Sequence, residues 1–321
     1  MPGFFIIRPM YKEKRPSRSE FVPIRGYRYH VRIWDGPTRA SPALPPLVLA
    51  HGWMDVAASY QFMVDAFSDA FALGRTILAP DWRGFGLSRS DNSAGVTDTF
   101  WFPDYLADLD FLLDHFAQKQ PIDLVGHSMG GNVAMTYAGV RPERIRRLVN
   151  LEGFGLPASL PAQAPARYAN WIDELKSLHR GELMLKTYAD AADVARRLMK
   201  TNPRLSADKA HWLACHWAQP DAAGTWHILG EAGHKITSAN LYRADETLAL
   251  YQRISAPVLA VQASGDSLST WHHGRYSLAD YHARLQLIPQ ATVVVIEEAG
   301  HMLHHDQPEQ LAALIEGFLA P

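Results

Sequence analysis

Cysteine is almost absent from this chain, since Cys215 is the single example among 321 residues. One cysteine cannot form a disulfide within the chain, and it lacks the paired spacing of a structural zinc site. We therefore expect a protein of a reducing compartment and assign it to the cytoplasm.

An excess of charge of one sign is also missing, because 31 Lys and Arg residues face 33 Asp and Glu residues, a formal charge of −2. Such a chain has no electrostatic footprint for nucleic acid or for an anionic membrane surface. No apolar run approaches the roughly 20 residues of a membrane span, and the apolar stretch at residues 4–7 is far shorter than a signal-peptide core. We predict neither a nucleic-acid partner nor a membrane span.

The composition that is present, with 47% hydrophobic and 20% charged residues, is typical of a globular protein. Short apolar runs alternate with amphipathic helical patterns, at residues 47–50, 76–79, 122–125, 148–151, 257–262 and 292–296. This alternation predicts an α/β fold of parallel strands joined by crossover helices. With two more candidate strands at residues 21–24 and 29–34, we expect about eight strands, mostly parallel, with helices on both faces.

The alternation stops between residues 156 and 250, where helical stretches at 166–178, 182–200 and 207–217 replace buried strands. Four of the nine tryptophans lie in this block: Trp171, Trp212, Trp217 and Trp226. We therefore predict that residues 1–155 and 251–321 form one core domain, and that residues 156–250 form a helical lid inserted into it.

The motif G-H-S-M-G-G at residues 126–131 follows an apolar run and precedes a helical pattern. A strand before and a helix after is the context of a nucleophile elbow, in which the serine lies at a strained turn and the glycines admit neighbouring backbone. The alternative is a glycine-rich turn without chemistry. We predict that Ser128 is a nucleophile.

A serine hydroxyl needs a general base, and His301 stands in the loop after the last predicted strand, where open α/β sheets carry their ligand sites. Because His304 and His305 follow closely, a metal site is an alternative. No carboxylate stands at a metalloprotease spacing such as H-E-x-x-H. We therefore predict no metal and interpret His304 and His305 as packing or polar-network residues.

Two carboxylates compete to orient the base, since Asp266 and Glu152 each follow a predicted strand. The chain order Ser128, Asp266, His301 is the order expected where a nucleophile elbow carries a triad, which favours Asp266. Glu152 is the alternative acid, or a residue that closes the strand end or lines the pocket.

An oxyanion hole should complete the site, with donors aimed at the charge that develops on a tetrahedral intermediate. One predicted donor is the backbone N–H of Met129, which follows the nucleophile. The second is the backbone N–H of Trp53, in the loop after residues 47–50, where Gly52 allows the backbone to approach a ligand closely.

Together these motifs resemble the α/β-hydrolase superfamily: H-G-W-M-D at 51–55, D-W-R-G-F-G-L-S at 81–88, the elbow at 126–131, G-D at 265–266 and G-H at 300–301. The first of them, with L-E-G-F-G at 151–155, also resembles the serine hydrolase-like (kraken-like) esterase group. The resemblance implies a cofactor-independent hydrolase with Ser128, Asp266 and His301 as its triad. A serine at the elbow argues against haloalkane dehalogenases and epoxide hydrolases, which use aspartate there.

We therefore predict a carboxylic ester hydrolase that acts on a small-to-medium apolar acyl compound and needs no cofactor. Hydrolysis of an amide or a carbon–carbon bond, or cofactor-free perhydrolysis, is possible with the same triad, because fold and triad do not fix the substrate. A ligand-binding receptor that keeps the fold without turnover is the alternative from another class of function.

Overall fold

A computed structural model describes residues 11–36, 44–91 and 97–320; the apolar stretch at residues 4–7 lies outside them. The strands, in chain order, are β1 (Arg18–Ile24), β2 (Tyr27–Trp34), β3 (Leu47–Ala50), β4 (Ile77–Pro80), β5 (Arg89–Ser90), β6 (Ile122–His127), β7 (Ile145–Leu151), β8 (Thr187–Tyr188), β9 (Ala218–Pro220), β10 (Trp226–Ile228), β11 (Val258–Ala263) and β12 (Ala291–Ile296).

The α-helices are α1 (Gln61–Ala66), α2 (Asp69–Leu73), α3 (Phe102–Phe116), α4 (Met129–Val140), α5 (Ala164–His179), α6 (Ala191–Thr201), α7 (Ala207–Trp217), α8 (Ala244–Tyr251), α9 (Ser267–His272), α10 (Leu278–Leu285), α11 (Leu303–Asp306) and α12 (Pro308–Leu319). Within the described ranges, no helix has the length and apolar character needed to cross a bilayer.

The main sheet has the order β1-β2-β4-β3-β6-β7-β11-β12, with the short β5 paired to β2. All neighbours from β4 to β12 run parallel, whereas β1, β2 and β5 pair antiparallel at one edge. The predicted sheet is thereby confirmed, and β5 is an addition of only two residues. Because the parallel strands point the same way, their carboxyl ends meet at one edge of the sheet.

Helices cover both faces of this sheet, as the apolar character of the strands predicted. Alternate strand residues face opposite sides, so that Val48 belongs to one buried cluster while Leu47 and Leu49 belong to the other. The first cluster contains residues of α3, α4, α8 and α10, and the second contains residues of α1, α2, α11 and α12.

Residues 156–250, which we call the insertion, lie between β7 and β11 and contain α5, α6, α7 and all of α8 except its last residue, Tyr251. They also contain a small antiparallel sheet, β8-β10-β9, where no strand was predicted. The helix predicted over 182–200 begins only at Ala191, because Asp190 caps it and β8 precedes it. A third buried cluster joins α6 and α7 to Phe62 of α1, which ties the insertion to the core.

Candidate active site

The candidate residues gather at the carboxyl edge of four neighbouring strands. Ser128 follows β6, Glu152 follows β7, Asp266 lies three residues beyond β11, and His301 lies in the loop after β12. In the sheet these strands stand in the order β6-β7-β11-β12. Both candidate acids therefore come from strands between the serine and the histidine.

Ser128 lies at a strained turn between β6 and α4, with φ 53° and ψ −115°. Its backbone N–H donates to the carbonyl of Leu151 at 2.8 Å. A Cβ on Gly126 would lie 2.3 Å from the carbonyl oxygen of Gly130, and one on Gly130 would lie 2.0 Å from the carbonyl oxygen of Ala50. Glycine is therefore required at both positions, which is the packing expected of a nucleophile elbow.

The imidazole of His301 faces Glu152. Its Nδ1 lies 3.3 Å from a carboxylate oxygen of Glu152, whose side chain is only 1% exposed. The same carboxylate accepts the Ala263 backbone N–H at 2.8 Å and the Ser267 hydroxyl at 2.9 Å. These bonds fix the carboxylate in the orientation that meets the histidine.

The backbone of Glu152 is in an unusual conformation. Its φ of 55° lies in the left-handed region, which residues other than Gly and Asn rarely adopt. The turn that holds it is closed by Asn150, whose side chain donates to the Gly153 carbonyl at 2.8 Å and to the Tyr281 hydroxyl at 2.9 Å. A strained, buried carboxylate beside a histidine is the kind of feature that functional sites retain.

Asp266 has a different environment from the one predicted. Its side chain caps α9, where a carboxylate oxygen accepts the Ser269 backbone N–H at 2.9 Å, and the residue is exposed. Hydrogen bonds from Ser269 lower the pKa of Asp266. The contact with His301 that chain order suggested for Asp266 is therefore made by Glu152.

Burial shifts the pKa values of both Glu152 and His301. It raises the pKa of Glu152 to about 7, against the opposing hydrogen bonds from Ala263 and Ser267. It lowers the pKa of His301 to about 3, so that the imidazole is neutral near pH 7. A neutral histidine is the form that can accept a proton from a serine.

The loop of His301 is held from two sides. Trp271 of α9 packs edge-on against the imidazole, with 4.1 Å between ring centroids. On the core side, Nε2 of His127 donates to the backbone carbonyl of His301 at 2.8 Å. Because His127 directly precedes Ser128, this bond connects the base loop to the nucleophile elbow.

The predicted oxyanion loop packs against the elbow. A Cβ on Gly52 would lie 3.2 Å from the Cβ of Ser128, so the loop backbone passes beside this serine. Behind it, Nε2 of His51 accepts the Trp82 backbone N–H at 2.9 Å, and the Trp82 indole donates to the His51 carbonyl at 3.0 Å. Trp53 is 52% exposed, and its indole N–H donates to the carbonyl of His234 in the insertion at 3.2 Å. Met129 is the first residue of α4.

Sequence reasoning missed Ser267, Asn150 and Trp271, which position the acid and the base. Ser267 follows Asp266 directly in the chain. Because we assigned the acid to Asp266, we gave no role to the hydroxyl of Ser267. Only the packing of β7 against β11 brings Ser267 to Glu152, so no local pattern identifies it.

Residues 45–308 of this chain match the family model of the alpha/beta hydrolase fold. A serine hydrolase-like protein from Danio rerio is 25% identical, over 100% of this chain and 94% of that protein. An sn-1-specific diacylglycerol lipase from Xenopus laevis is 27% identical, over 86% of this chain and 80% of that protein. Among solved structures, a thioesterase domain from the curacin biosynthetic pathway superposes with a TM-score of 0.76 at 25% identity, covering 94% of this chain and 99% of that domain.

Proposed function

Because the chain belongs to the α/β-hydrolase fold family, we propose that it is a serine hydrolase whose triad is Ser128, His301 and Glu152. The family match also confirms the resemblance inferred from the sequence motifs. The observation that carries the proposal is the contact between Nδ1 of His301 and the buried carboxylate of Glu152. This contact leaves Nε2 of His301 as the basic nitrogen, as in Ser-His-Asp/Glu triads.

In the proposed reaction, the Ser128 hydroxyl attacks the acyl carbonyl carbon while Nε2 of His301 takes its proton. The tetrahedral intermediate collapses, the bond to the leaving group breaks, and the imidazolium returns the proton to the departing oxygen. Water then attacks the acyl-enzyme by the same route and releases the acid and the free serine. Glu152 stabilises the imidazolium in both halves and keeps the histidine in the required tautomer.

The proposed oxyanion donors are the backbone N–H groups of Trp53 and Met129. The first is supported by the passage of the Gly52 backbone beside the Cβ of Ser128. The second is supported by the position of Met129 at the first turn of α4, where backbone N–H groups have no partner within the helix and favour negative charge.

Two exposed tryptophans support an apolar acyl substrate. Trp53 is 52% exposed beside the oxyanion loop, and Trp271 is 45% exposed against the imidazole of His301. Large aromatic surface near a catalytic group gains free energy when an apolar ligand covers it. We therefore propose a carboxylic ester of a small-to-medium apolar acid; the name of one relative, a diacylglycerol lipase, supports the ester bond but not the size of the acid.

We also propose that the insertion acts as a lid. It contacts the turn beside the oxyanion loop, because Gly86 donates to the Leu229 carbonyl at 2.8 Å and Glu231 donates to the Gly84 carbonyl at 3.0 Å. The indole of Trp53 bonds the insertion directly. A lid joined to the oxyanion loop can couple substrate enclosure to the alignment of its donors.

A substrate screen tests this function. We expect the purified chain to hydrolyse p-nitrophenyl esters of small-to-medium apolar acids, with Ser128→Ala as the blank. An amide, a thioester and a diketone with the same acyl group separate the alternative reactions. Ester turnover that persists in Ser128→Ala would contradict the proposed nucleophile, and turnover of the diketone alone would replace the ester assignment.

A further inference from the structure

A second cluster of polar side chains lies buried on the core side of the nucleophile elbow. It consists of Asp55 from the loop after β3, His127 at the end of β6 and His304 in α11. One donor atom from each residue lies within 4.8 Å of the other two. Asp55 is 6% exposed, His127 1% and His304 0%. The catalytic scheme gives none of these side chains a chemical role.

Each of these three side chains has at least one polar atom with no hydrogen-bond partner among the residues that the structure describes. These atoms are Oδ2 of Asp55, Nδ1 of His127 and both ring nitrogens of His304. A buried polar atom without a partner costs free energy, so each such atom requires an explanation. Each of the three clustered residues carries at least one such atom, which indicates a missing ligand.

The tautomer of His127 follows from its other nitrogen. Nε2 lies 2.8 Å from the carbonyl oxygen of His301, which can only accept, so Nε2 carries the proton. In the neutral ring Nδ1 then presents a lone pair. A histidine that donates one N–H to a backbone carbonyl and offers the other nitrogen is the usual arrangement of a metal ligand.

Asp55 supplies the charge for such a site. Its Oδ1 accepts the hydroxyl of Ser59, which orients the carboxylate and leaves Oδ2 without a partner. In the described part of the chain, Asp55 forms no ion pair with a basic side chain. A buried carboxylate without a charged partner is costly, and either a bound cation or a proton on the carboxylate removes that cost.

We propose that Asp55, His127 and His304 bind one divalent transition-metal ion of the zinc class. Two imidazole nitrogens and one carboxylate oxygen suit Zn²⁺, Co²⁺ or Ni²⁺ better than Mg²⁺ or Ca²⁺, which prefer oxygen ligands. Ligand atoms around a tetrahedral Zn²⁺ lie about 3.3 Å apart, so small side-chain rotations close the site. The ion would also fix His127, and through its Nε2–H bond the loop of His301.

The rival occupant is a buried water molecule, which could donate to Asp55 and His127 and accept from His304. Metal content separates the two. We expect protein that is produced with zinc in the medium and without a polyhistidine tag to contain about one zinc ion per chain, as measured by inductively coupled plasma mass spectrometry. Cobalt-loaded protein should show the visible absorption of four-coordinate Co²⁺, a readout that requires no substitution.

Three variants locate the ion. Asp55→Asn and His304→Gln should lose the zinc, whereas His305→Gln should retain it, because His305 is equally buried and adjacent but lies outside the cluster. Zinc-free wild-type protein with no cobalt band would overturn the proposal in favour of a buried water. Zinc retained by folded His304→Gln would overturn it by placing the ion elsewhere.

Discussion

Nδ1 of His301 and a carboxylate oxygen of Glu152 lie 3.3 Å apart, although 149 positions separate the two residues in the chain. Glu152 is the first residue beyond β7, and its carboxylate is held by Ala263 and Ser267 from the neighbouring strand and helix. The proposed acid thus comes from the strand beside the proposed nucleophile and is supported by the strand on its other side.

If Glu152 orients the base, removal of its charge should damage catalysis while the same change at Asp266 should not. We expect Glu152→Gln to lower kcat by about 10³–10⁴-fold, because the wrong imidazole tautomer is then favoured. Asp266→Asn is the matched control and should change kcat by less than about threefold, since it removes a charge from an exposed helix cap. Steady-state kinetics on one p-nitrophenyl ester, with a thermal melt of each variant, decide this. A larger loss in Asp266→Asn would restore the acid favoured by chain order.

The pH profile should report the buried carboxylate. Burial raises the pKa of Glu152 to about 7. Below that pH the carboxyl group is protonated and cannot stabilise the imidazolium, so kcat/KM should fall as the pH decreases through about 7. The measurement is kcat/KM between about pH 5 and 9. A profile that stays flat down to pH 5 would contradict an ionised Glu152 as the working form.

Ser267→Ala provides a directional test of the same carboxylate. The Ser267 hydroxyl bonds the ionised form of Glu152 and thereby lowers its pKa. Its loss should move the acidic limb of the kcat/KM profile to higher pH, while activity at high pH changes little. A limb that moves to lower pH, or not at all, would mean that another group controls it.

We expect Trp212 to contribute to stability and Trp53 to contribute to substrate preference. Trp212 packs edge-on against Phe62, with 5.6 Å between ring centroids, and against Tyr11 at 5.5 Å, so it anchors the insertion to the core. Trp212→Ala should cost about 3 kcal/mol in the free energy of unfolding without altering the preference for acyl length. Trp53→Ala should instead leave the melt nearly unchanged and lower kcat/KM about tenfold for the longest apolar esters. Urea unfolding and kinetics across an acyl series test both, and exchanged phenotypes would contradict the assignment.

Acid should loosen the junction between insertion and core. His234 is stacked between Phe85 and Phe100, at 3.7 and 3.6 Å between ring centroids, and burial lowers its pKa to about 3. Between about pH 6.5 and 3 the unfolded state binds a proton that the folded state excludes, so the unfolding free energy falls as pH falls through this window. His234→Gln should reduce that slope by about 1.4 kcal/mol per pH unit. Urea unfolding at several pH values measures it, and equal slopes would show that His234 contributes nothing.

The inner strands β3, β4, β6 and β11 could be predicted from the sequence because burial on both faces makes them apolar runs. The segment 122–125, for example, is the first four residues of β6 (Ile122–His127). The strands of the insertion have two or three residues each and carry no such signal. The helical pattern in the sequence extends upstream to residue 182, but α6 begins only after Asp190, which caps its N-terminus.

In the candidate site, Ser128 and His301 could be placed because each follows a strong strand at the carboxyl edge. The choice between the two acids could not be predicted, because β7 and β11 are neighbours and each is followed by a carboxylate, Glu152 or Asp266. Loop length decides between them: Glu152 follows its strand directly, whereas Asp266 is far enough along to cap α9. For the metal site that we propose, the sequence offered only the run of histidines from His301 to His305, from which we predicted no metal. Asp55 and His127 come from two other segments, and only the fold brings them to His304.

The most direct test of the proposed triad is covalent labelling with a fluorophosphonate, which forms a stable adduct with an activated serine. Peptide mass spectrometry should place one adduct on the peptide that contains Ser128, and the rate of labelling should fall sharply in Glu152→Gln but not in Asp266→Asn. An adduct on another residue, or equal labelling rates in wild type and Glu152→Gln, would contradict a nucleophile at Ser128 activated by the His301–Glu152 pair.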